Sequence, residues 1–81
     1  MKVRVQFFAQ LRDLTGIGTT EVELNAGGSV SDLLENLYKK FPALRAHDSA
    51  ILFGAGVEFV DRKYKLKPGD EISIMPPVQG G

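Results

Sequence analysis

The 81-residue sequence contains no cysteine and a single histidine, His47. Without cysteine the chain can form no disulfide, no thiolate zinc site and no thiol nucleophile. One histidine without a cysteine or a second histidine provides neither a zinc site nor a nucleophile–base pair. We therefore predict no metal site and no bound cofactor, and we interpret His47, beside Asp48 and Ser49, as an exposed loop residue.

An excess of charge of either sign is also missing. Ten Lys and Arg balance ten Asp and Glu, so the formal net charge is zero. Binding to nucleic acids or to anionic membranes draws on surplus positive charge, so we expect neither as a partner. Lys63, Lys65 and Lys67 lean basic, but Asp61 and Asp70 flank them. This pattern is typical of an exposed edge segment, and a docking role for it is the alternative.

Long apolar runs are absent as well. Residues 1–4 alternate charged and apolar side chains, so the sequence predicts neither a signal peptide nor a transmembrane helix. The carboxylates are scattered, and no two of them form a pair suited to acid–base chemistry. We expect a cytoplasmic protein whose own side chains offer no catalytic centre.

The composition that remains is that of a small globular domain. Apolar residues make up 43% of the chain and charged residues 25%, which is ordinary for a folded protein. A chain of this length can sustain about one helix packed on one sheet. We predict a single domain over residues 1–81, with a flexible C-terminal tail over residues 76–81.

Hydrophobic periodicity predicts the main elements. Apolar and polar residues alternate over residues 3–7 and 19–24, which indicates two strands, and a helical turn over residues 9–15 ends at Gly16. An apolar stripe with helical spacing runs from residue 30 to residue 41. Ser29 and Asp32 can cap the start of this helix, and Pro42 ends it.

The rest of the chain predicts short strands. We expect a loop over residues 43–49, strands over residues 51–53 and 57–60, and a last strand over residues 71–75. We interpret residues 54–56, Gly-Ala-Gly, as a turn or bulge between the short strands. The order strand, strand, helix, short strands, strand is that of the β-grasp fold, an α+β class in which a mixed sheet packs on one main helix.

The chain ends in Pro76-Pro77-Val78-Gln79-Gly80-Gly81. Two prolines favour an extended exit from the sheet, and glycines without side chains can pass a narrow channel. Residues 77–81 span at most roughly 16 Å, enough for a carboxylate to enter a deep active site. Small residues are common at chain ends, but a terminal Gly-Gly pair arises by chance in only about one chain in two hundred. We predict that Gly80 and Gly81 form a reactive acyl handle.

Three further motifs accompany this ending: residues 7–16 (FFAQLRDLTG), residues 41–44 (FPAL) and residues 66–71 (LKPGDE). Together they resemble, nearly end to end, the MoaD family of molybdopterin synthase small subunits among the ubiquitin-like sulfur carriers of the MoaD/ThiS type. The terminal motif is common to these carriers as a group, whereas the Phe-Phe-Ala opening and the length are closer to MoaD than to ThiS. Two departures are Gln79, where the family has a small residue, and residues 51–58, which lack an Asn-Gly-type turn.

The resemblance implies a cycle of sulfur transfer in molybdopterin biosynthesis. A MoeB-like enzyme would use ATP to adenylate the Gly81 carboxylate, and a sulfurtransferase would replace AMP with sulfur to give a thiocarboxylate. That sulfur would pass to a pterin precursor inside a MoaE-like large subunit. The implied complex is a heterotetramer of two small and two large subunits, and its catalytic pocket belongs to the large subunit.

A docking surface follows from strand alternation and from the resemblance. If residues 3, 5 and 7 point into the core, Phe8 lies on the other side of the first strand, and Met75 is placed in the same way. Phe59 matches the apolar contact surface of the family. The alternative is that Phe8 and Phe59 belong to the core, because residues 57–60 fit either register. The full set of expected partner-binding residues is Phe8, Phe59, Met75, Pro76, Pro77, Val78 and Gln79.

Two other functions stay open at this point. The first is a carrier or modifier for another pathway, such as tRNA thiolation, cysteine synthesis or conjugation to lysines of target proteins. The second is a β-grasp binding module whose sheet face docks a partner and whose tail is inert. Neither is excluded by the residues.

Overall fold

The computed structural model describes residues 1–77 and contains one five-stranded mixed sheet. Its elements, in chain order, are β1 (Lys2–Phe7), α1 (Gln10–Thr15), β2 (Thr19–Glu23), α2 (Val30–Lys40), a 3₁₀ helix (Pro42–Ala50), β3 (Leu52–Ala55), β4 (Glu58–Val60) and β5 (Glu71–Met75). The strands lie in the order β2-β1-β5-β3-β4. Only β1 and β5 are parallel neighbours; the other pairs are antiparallel. The predicted mixed sheet packed on one main helix is confirmed.

Alternation along the strands places one face of the sheet against α2. In β1 and β5 the buried residues are every second one, and the register sets Val5 beside Ile72 and Val3 beside Val22. The apolar stripe of α2 covers this layer, and Leu33, Leu34 and Leu37 have at most 1% of their surface exposed. Each such leucine contributes roughly 1.5–3 kcal/mol by burial. The core therefore rests on the periodicities that predicted the elements.

The N-terminus of α2 is held by the capping box that the sequence predicts. The Ser29 backbone N–H donates to Asp32 Oδ2 at 2.9 Å, and the Asp32 N–H donates to Ser29 Oγ at 3.4 Å. The next free N–H groups are satisfied by the chain between β4 and β5: Val30 donates to the Tyr64 carbonyl and Ser31 to the Arg62 carbonyl, both at 3.0 Å. The segment between β4 and β5 therefore caps the N-terminus of α2 together with Ser29 and Asp32.

Two expectations for residues 42–50 were wrong. The predicted loop is a 3₁₀ helix, because Pro42 fits its first turn and Leu44 is fully buried. The end of α2 before Pro42 is as predicted: the helix ends at Lys40, Phe41 is its C-cap, and the Phe41 ring packs edge-on against Phe7 with ring centroids 5.7 Å apart. His47 lies in the 3₁₀ helix and is half-buried, not an exposed loop residue.

The hairpin of β3 and β4 also differs from the expectation. Gly54 and Ala55 are part of β3, so the predicted turn over residues 54–56 was wrong. The loop is Gly56-Val57, closed by the pair Ala55 and Glu58. A positive φ of 63° at Gly56, the first loop residue, is what a type II′ turn requires, and only glycine adopts it easily.

Three lysines between β4 and β5, Lys63, Lys65 and Lys67, are exposed as predicted. They do not belong to a named edge strand, although Lys65 forms an isolated bridge with Ser29. Among the helices of residues 1–77, none has both the length and the apolar character needed to cross a bilayer.

Candidate partner-binding site

The sheet face opposite α2 carries an apolar patch at one end. We define the apolar patch by five residues: Phe8, Leu52, Val57, Phe59 and Met75. Phe59 has 74% of its surface exposed and Phe8 42%, whereas Met75 is half-buried. The alternative assignment of Phe8 and Phe59 to the core was therefore wrong. Exposed apolar residues gathered in this way are typical of interaction surfaces.

Register brings the members of the patch together. Leu52 on β3 lies opposite Met75 on β5. Gly54, two residues after Leu52 and on the same face of β3, lies opposite Phe59 on β4. The Phe8 N–H donates to the Ile74 carbonyl at 3.1 Å, so the parallel ladder continues one residue past β1. Phe8 consequently stands beside Met75 on the outer face.

A strained turn at Ala9 ends the path of the chain along the sheet directly after Phe8. The next residue, Ala9, has φ 51° and ψ −132°, a region that non-glycine residues avoid. Leu11 donates its N–H to the Phe8 carbonyl at 3.1 Å, and α1 starts at once. The chain thus turns away from the sheet directly after Phe8.

The other end of the same face is charged. Lys2 and Arg4 alternate with buried valines on β1, and Arg4 lies next to Glu21 on β2 and Glu71 on β5. The Arg4 guanidinium is 3.9 Å from the Glu71 carboxylate, but both side chains are exposed, so this pair contributes little to stability. The face is therefore divided into an apolar half and a charged half.

The C-terminal segment leaves the sheet beside the patch. Met75 ends β5, Pro76 is half-buried and Pro77 is exposed. The four remaining predicted site residues, Val78, Gln79, Gly80 and Gly81, lie outside the described residues. The structure thus places Phe8, Phe59, Met75, Pro76 and Pro77 in one region, around the end of β5.

Leu52 and Gly54 complete this region and were not identified from the sequence. Their position depends on where β3 starts, and the predicted strand began at residue 51, one residue before the observed start at Leu52. Only the register shows that Leu52 faces outward while Phe53 faces the core. No local pattern in the sequence gives the pairing of Gly54 with Phe59, because it depends on the register between β3 and β4.

A polar network lies at the neighbouring end of β3. Tyr38 Oη and Arg62 Nη1 both donate to Asp48 Oδ1, the latter at 3.0 Å, and Arg62 also donates to the Asp48 carbonyl. Burial, followed by the hydrogen bond to Asp48, raises the pKa of Tyr38 to about 12. The hydrogen bonds from Tyr38 and Arg62 lower the pKa of Asp48. Three segments of the chain, represented by Tyr38, Asp48 and Arg62, meet here, and we call this network the clamp.

A mixed sheet with parallel first and last strands, one covering helix and an apolar outer face beside the end of the last strand defines a ubiquitin-like β-grasp protein. The ThiS family model matches residues 5–81. The chain belongs to the ThiS family.

Comparisons with known proteins agree with this assignment. The molybdopterin synthase sulfur carrier subunit of Chlamydomonas reinhardtii is 35% identical, and the match covers 100% of both chains. A putative molybdopterin converting factor subunit 1 from Pyrococcus furiosus is 30% identical with a TM-score of 0.87, covering 96% of this chain and 99% of that one. SAMP1 from Haloferax volcanii, a small archaeal modifier protein, is 27% identical with a TM-score of 0.88 over 100% of both chains.

Proposed function

We propose that this chain is the sulfur carrier subunit of a molybdopterin synthase. The observation that carries the proposal is the match over the full length to a relative of that name. The apolar patch at the base of the C-terminal segment supports it, because a carrier must be held by its partners beside the group it delivers.

The reactive group in this proposal is the Gly81 carboxylate, with Gly80 before it. A carboxylate is a poor electrophile, so it first attacks the α-phosphate of ATP on an adenylating enzyme, and pyrophosphate leaves. Reduced sulfur from a sulfurtransferase then attacks the acyl carbon, and AMP leaves. The product is a thiocarboxylate, a stronger nucleophile than any side chain of this cysteine-free sequence. ATP belongs to the activating partner and is no cofactor of this chain.

The acceptor of the sulfur is a pterin precursor held by a large subunit of the MoaE kind. The apolar patch docks on that subunit, and residues 76–81 reach its pocket, which supplies the catalytic side chains. Interface cores are enriched in aromatic residues and Met, as this patch is with Phe8, Phe59 and Met75. The complex implied by the family has two small and two large subunits, and the chain works in the cytoplasm.

Intact-mass spectrometry tests the chemistry. The protein is incubated with ATP, a sulfur source and a MoeB-like adenylating enzyme, and the expected result is replacement of one oxygen by sulfur. A matched control carries one extra alanine after Gly81 and should acquire no sulfur. Sulfur on the extended control, or none on the unchanged chain with an enzyme of verified activity, contradicts the proposal.

A second use of the same terminus is favoured by the likeness to the modifier protein SAMP1. In that case the activated Gly81 carboxylate forms an amide with a lysine of a target protein. Adding the activated chain to the isolated large subunit with its pterin substrate distinguishes the two. Formation of the dithiolene product supports the carrier, whereas protein conjugates without that product support the modifier.

A further inference from the structure

The apolar patch contains a hole whose floor is Gly54. This space of about 180 Å³ lies between Phe59 and Met75, with Ser73 on its rim. Gly54 is directly opposite Phe59 on β4 and Ser73 on β5, so the hole is one row of the sheet in which the middle side chain is missing. We call this space the Gly54 hole.

Backbone geometry gives no reason for glycine at this position. Gly54 lies inside β3, a strand that any residue can form, whereas Gly56 needs its positive φ for the hairpin turn. Glycine in a strand interior weakens the strand and marks a close approach by another group. A Cβ at position 54 would meet the Met75 Cε at 3.4 Å and the Ser73 Cβ at 3.6 Å, both ordinary contacts. Gly54 is buried with the Met75 Cε beside it, yet alanine fits, so neither the backbone nor a clash within the chain requires glycine here.

We propose that the Gly54 hole receives one apolar side chain of the large subunit and sets the specificity of that interface. This inference rests on the proposed function, because the hole lies within the patch that the large subunit covers. The Phe59 ring, the Met75 thioether and Val57 give the hole a mainly apolar lining beside Glu58 and Ser73, which suits an aliphatic or aromatic side chain better than a charged one. Met75 is the adaptable wall, since an unbranched thioether fits irregular neighbours easily.

Side chains that fill the hole test the proposal. Gly54→Val adds an isopropyl group, three carbon atoms, on the outer face of a strand, where β-branched residues are stable. Gly54→Ala is the matched control, because it changes the backbone preference in the same direction and leaves most of the hole open. Ser73→Leu fills the hole from β5 and leaves residue 54 unchanged.

Calorimetric titration into the isolated large subunit measures the effect. Gly54→Ala should bind within roughly threefold of the unchanged chain, and Gly54→Val and Ser73→Leu roughly 10- to 100-fold more weakly, because overpacked contacts are destabilising. The melting temperatures of all four proteins should show that each is folded. If either filled variant, folded as judged by melting, binds as tightly as the unchanged chain, the Gly54 hole is not a specificity site, while the proposed function stands. Failure of the unchanged chain to bind overturns both.

A second copy of this chain is the other possible occupant. Analytical ultracentrifugation of the chain alone distinguishes it from the large subunit. If the unchanged chain is a dimer and Gly54→Val is a monomer, the proposal is refuted. If both proteins are monomers, the result supports it.

Discussion

Removing one hydroxyl group, in Tyr38→Phe, should destabilise the fold measurably. Tyr38 donates to Asp48 from the last turn of α2, and Asp48 also accepts from Arg62. The ring of Tyr38 stays in the core, where 4% of the residue is exposed, so the substitution removes the hydrogen bond and little else. The clamp joins α2, the 3₁₀ helix and the segment before β5.

The magnitude follows from the surroundings of the bond. A hydrogen bond to a charged group contributes about 1.5–3 kcal/mol. The rise in the pKa of Tyr38 from 10.0 to about 12 corresponds to about 2.7 kcal/mol, but burial is its first cause, so the bond supplies only a part. The Asp48 side chain is 43% exposed and keeps Arg62 as a partner, so solvent screening reduces the contribution further. We expect a loss of about 1–2 kcal/mol, or roughly 5–12 °C in melting temperature.

The pH dependence gives this prediction a signature. The lowered pKa of Asp48 means that its stabilisation is complete above the unfolded pKa of about 3.9 and is lost as pH falls through the folded value. The raised pKa of Tyr38 means that its stabilisation is complete below pH 10.0 and is lost as pH rises towards 12. The difference between Tyr38→Phe and the unchanged chain should therefore be largest between these limits and shrink at both ends.

Urea unfolding followed by circular dichroism at a series of pH values measures this difference. Tyr64→Phe is the matched control: it removes the other tyrosine hydroxyl, and within residues 1–77 Tyr64 makes no side-chain hydrogen bond to Asp48 or Arg62. The reasoning is refuted if Tyr38→Phe and Tyr64→Phe lose equal stability, or if the loss for Tyr38→Phe is independent of pH.

Three further substitutions test other parts of the molecule. Ala9→Gly should raise the free energy of unfolding by about 0.5–2 kcal/mol, because relief of the positive φ exceeds the entropy that glycine adds to the unfolded chain; a lower value in urea unfolding contradicts this. Leu34→Ala should lower the unfolding free energy by about 2–5 kcal/mol, with the melting temperature as the check. Phe59→Ser should change stability by less than about 0.5 kcal/mol yet weaken binding to the large subunit at least roughly tenfold; tight binding by a folded Phe59→Ser would show that the patch is not the docking surface.

The parts of the fold that follow from periodicity could be predicted from the sequence. Strands β1, β2 and β5 and helix α2 each bury one face, and that one-sided burial leaves a period of two or about 3.6 in the chain. The 3₁₀ helix could not be predicted, because Leu44 is its one buried residue and a single buried position shows no period. The glycine signals at Gly54 and Gly56 were ambiguous, since one lies in a strand and the other in a turn.

In the candidate site too, the residues placed by local patterns could be predicted, and those placed by tertiary packing could not. Phe8 and Met75 follow from alternation, and exposure confirmed the outward placement of Phe59. Asp48 and Arg62 are 14 residues apart and reach Tyr38 from two different segments. Contacts of this kind depend on tertiary packing, which no local pattern encodes, and the Gly54 hole depends on the register of three strands for the same reason.

The pairing of β1 with β5 has a consequence for synthesis on the ribosome. Residues 4–7 of the first strand are paired with residues 71–74 of the last. Until those residues have been made, the sheet consists of two separate hairpins, β1 with β2 and β3 with β4, and an isolated hairpin is marginally stable at best. Chains cut short before β5 lack the strand that joins the two hairpins, so we expect them to stay unfolded and open to proteases. Because the last strand is the central one, a chain folds only after residues 71–75 have been made. A partner that binds the folded sheet therefore meets chains that already contain this last strand.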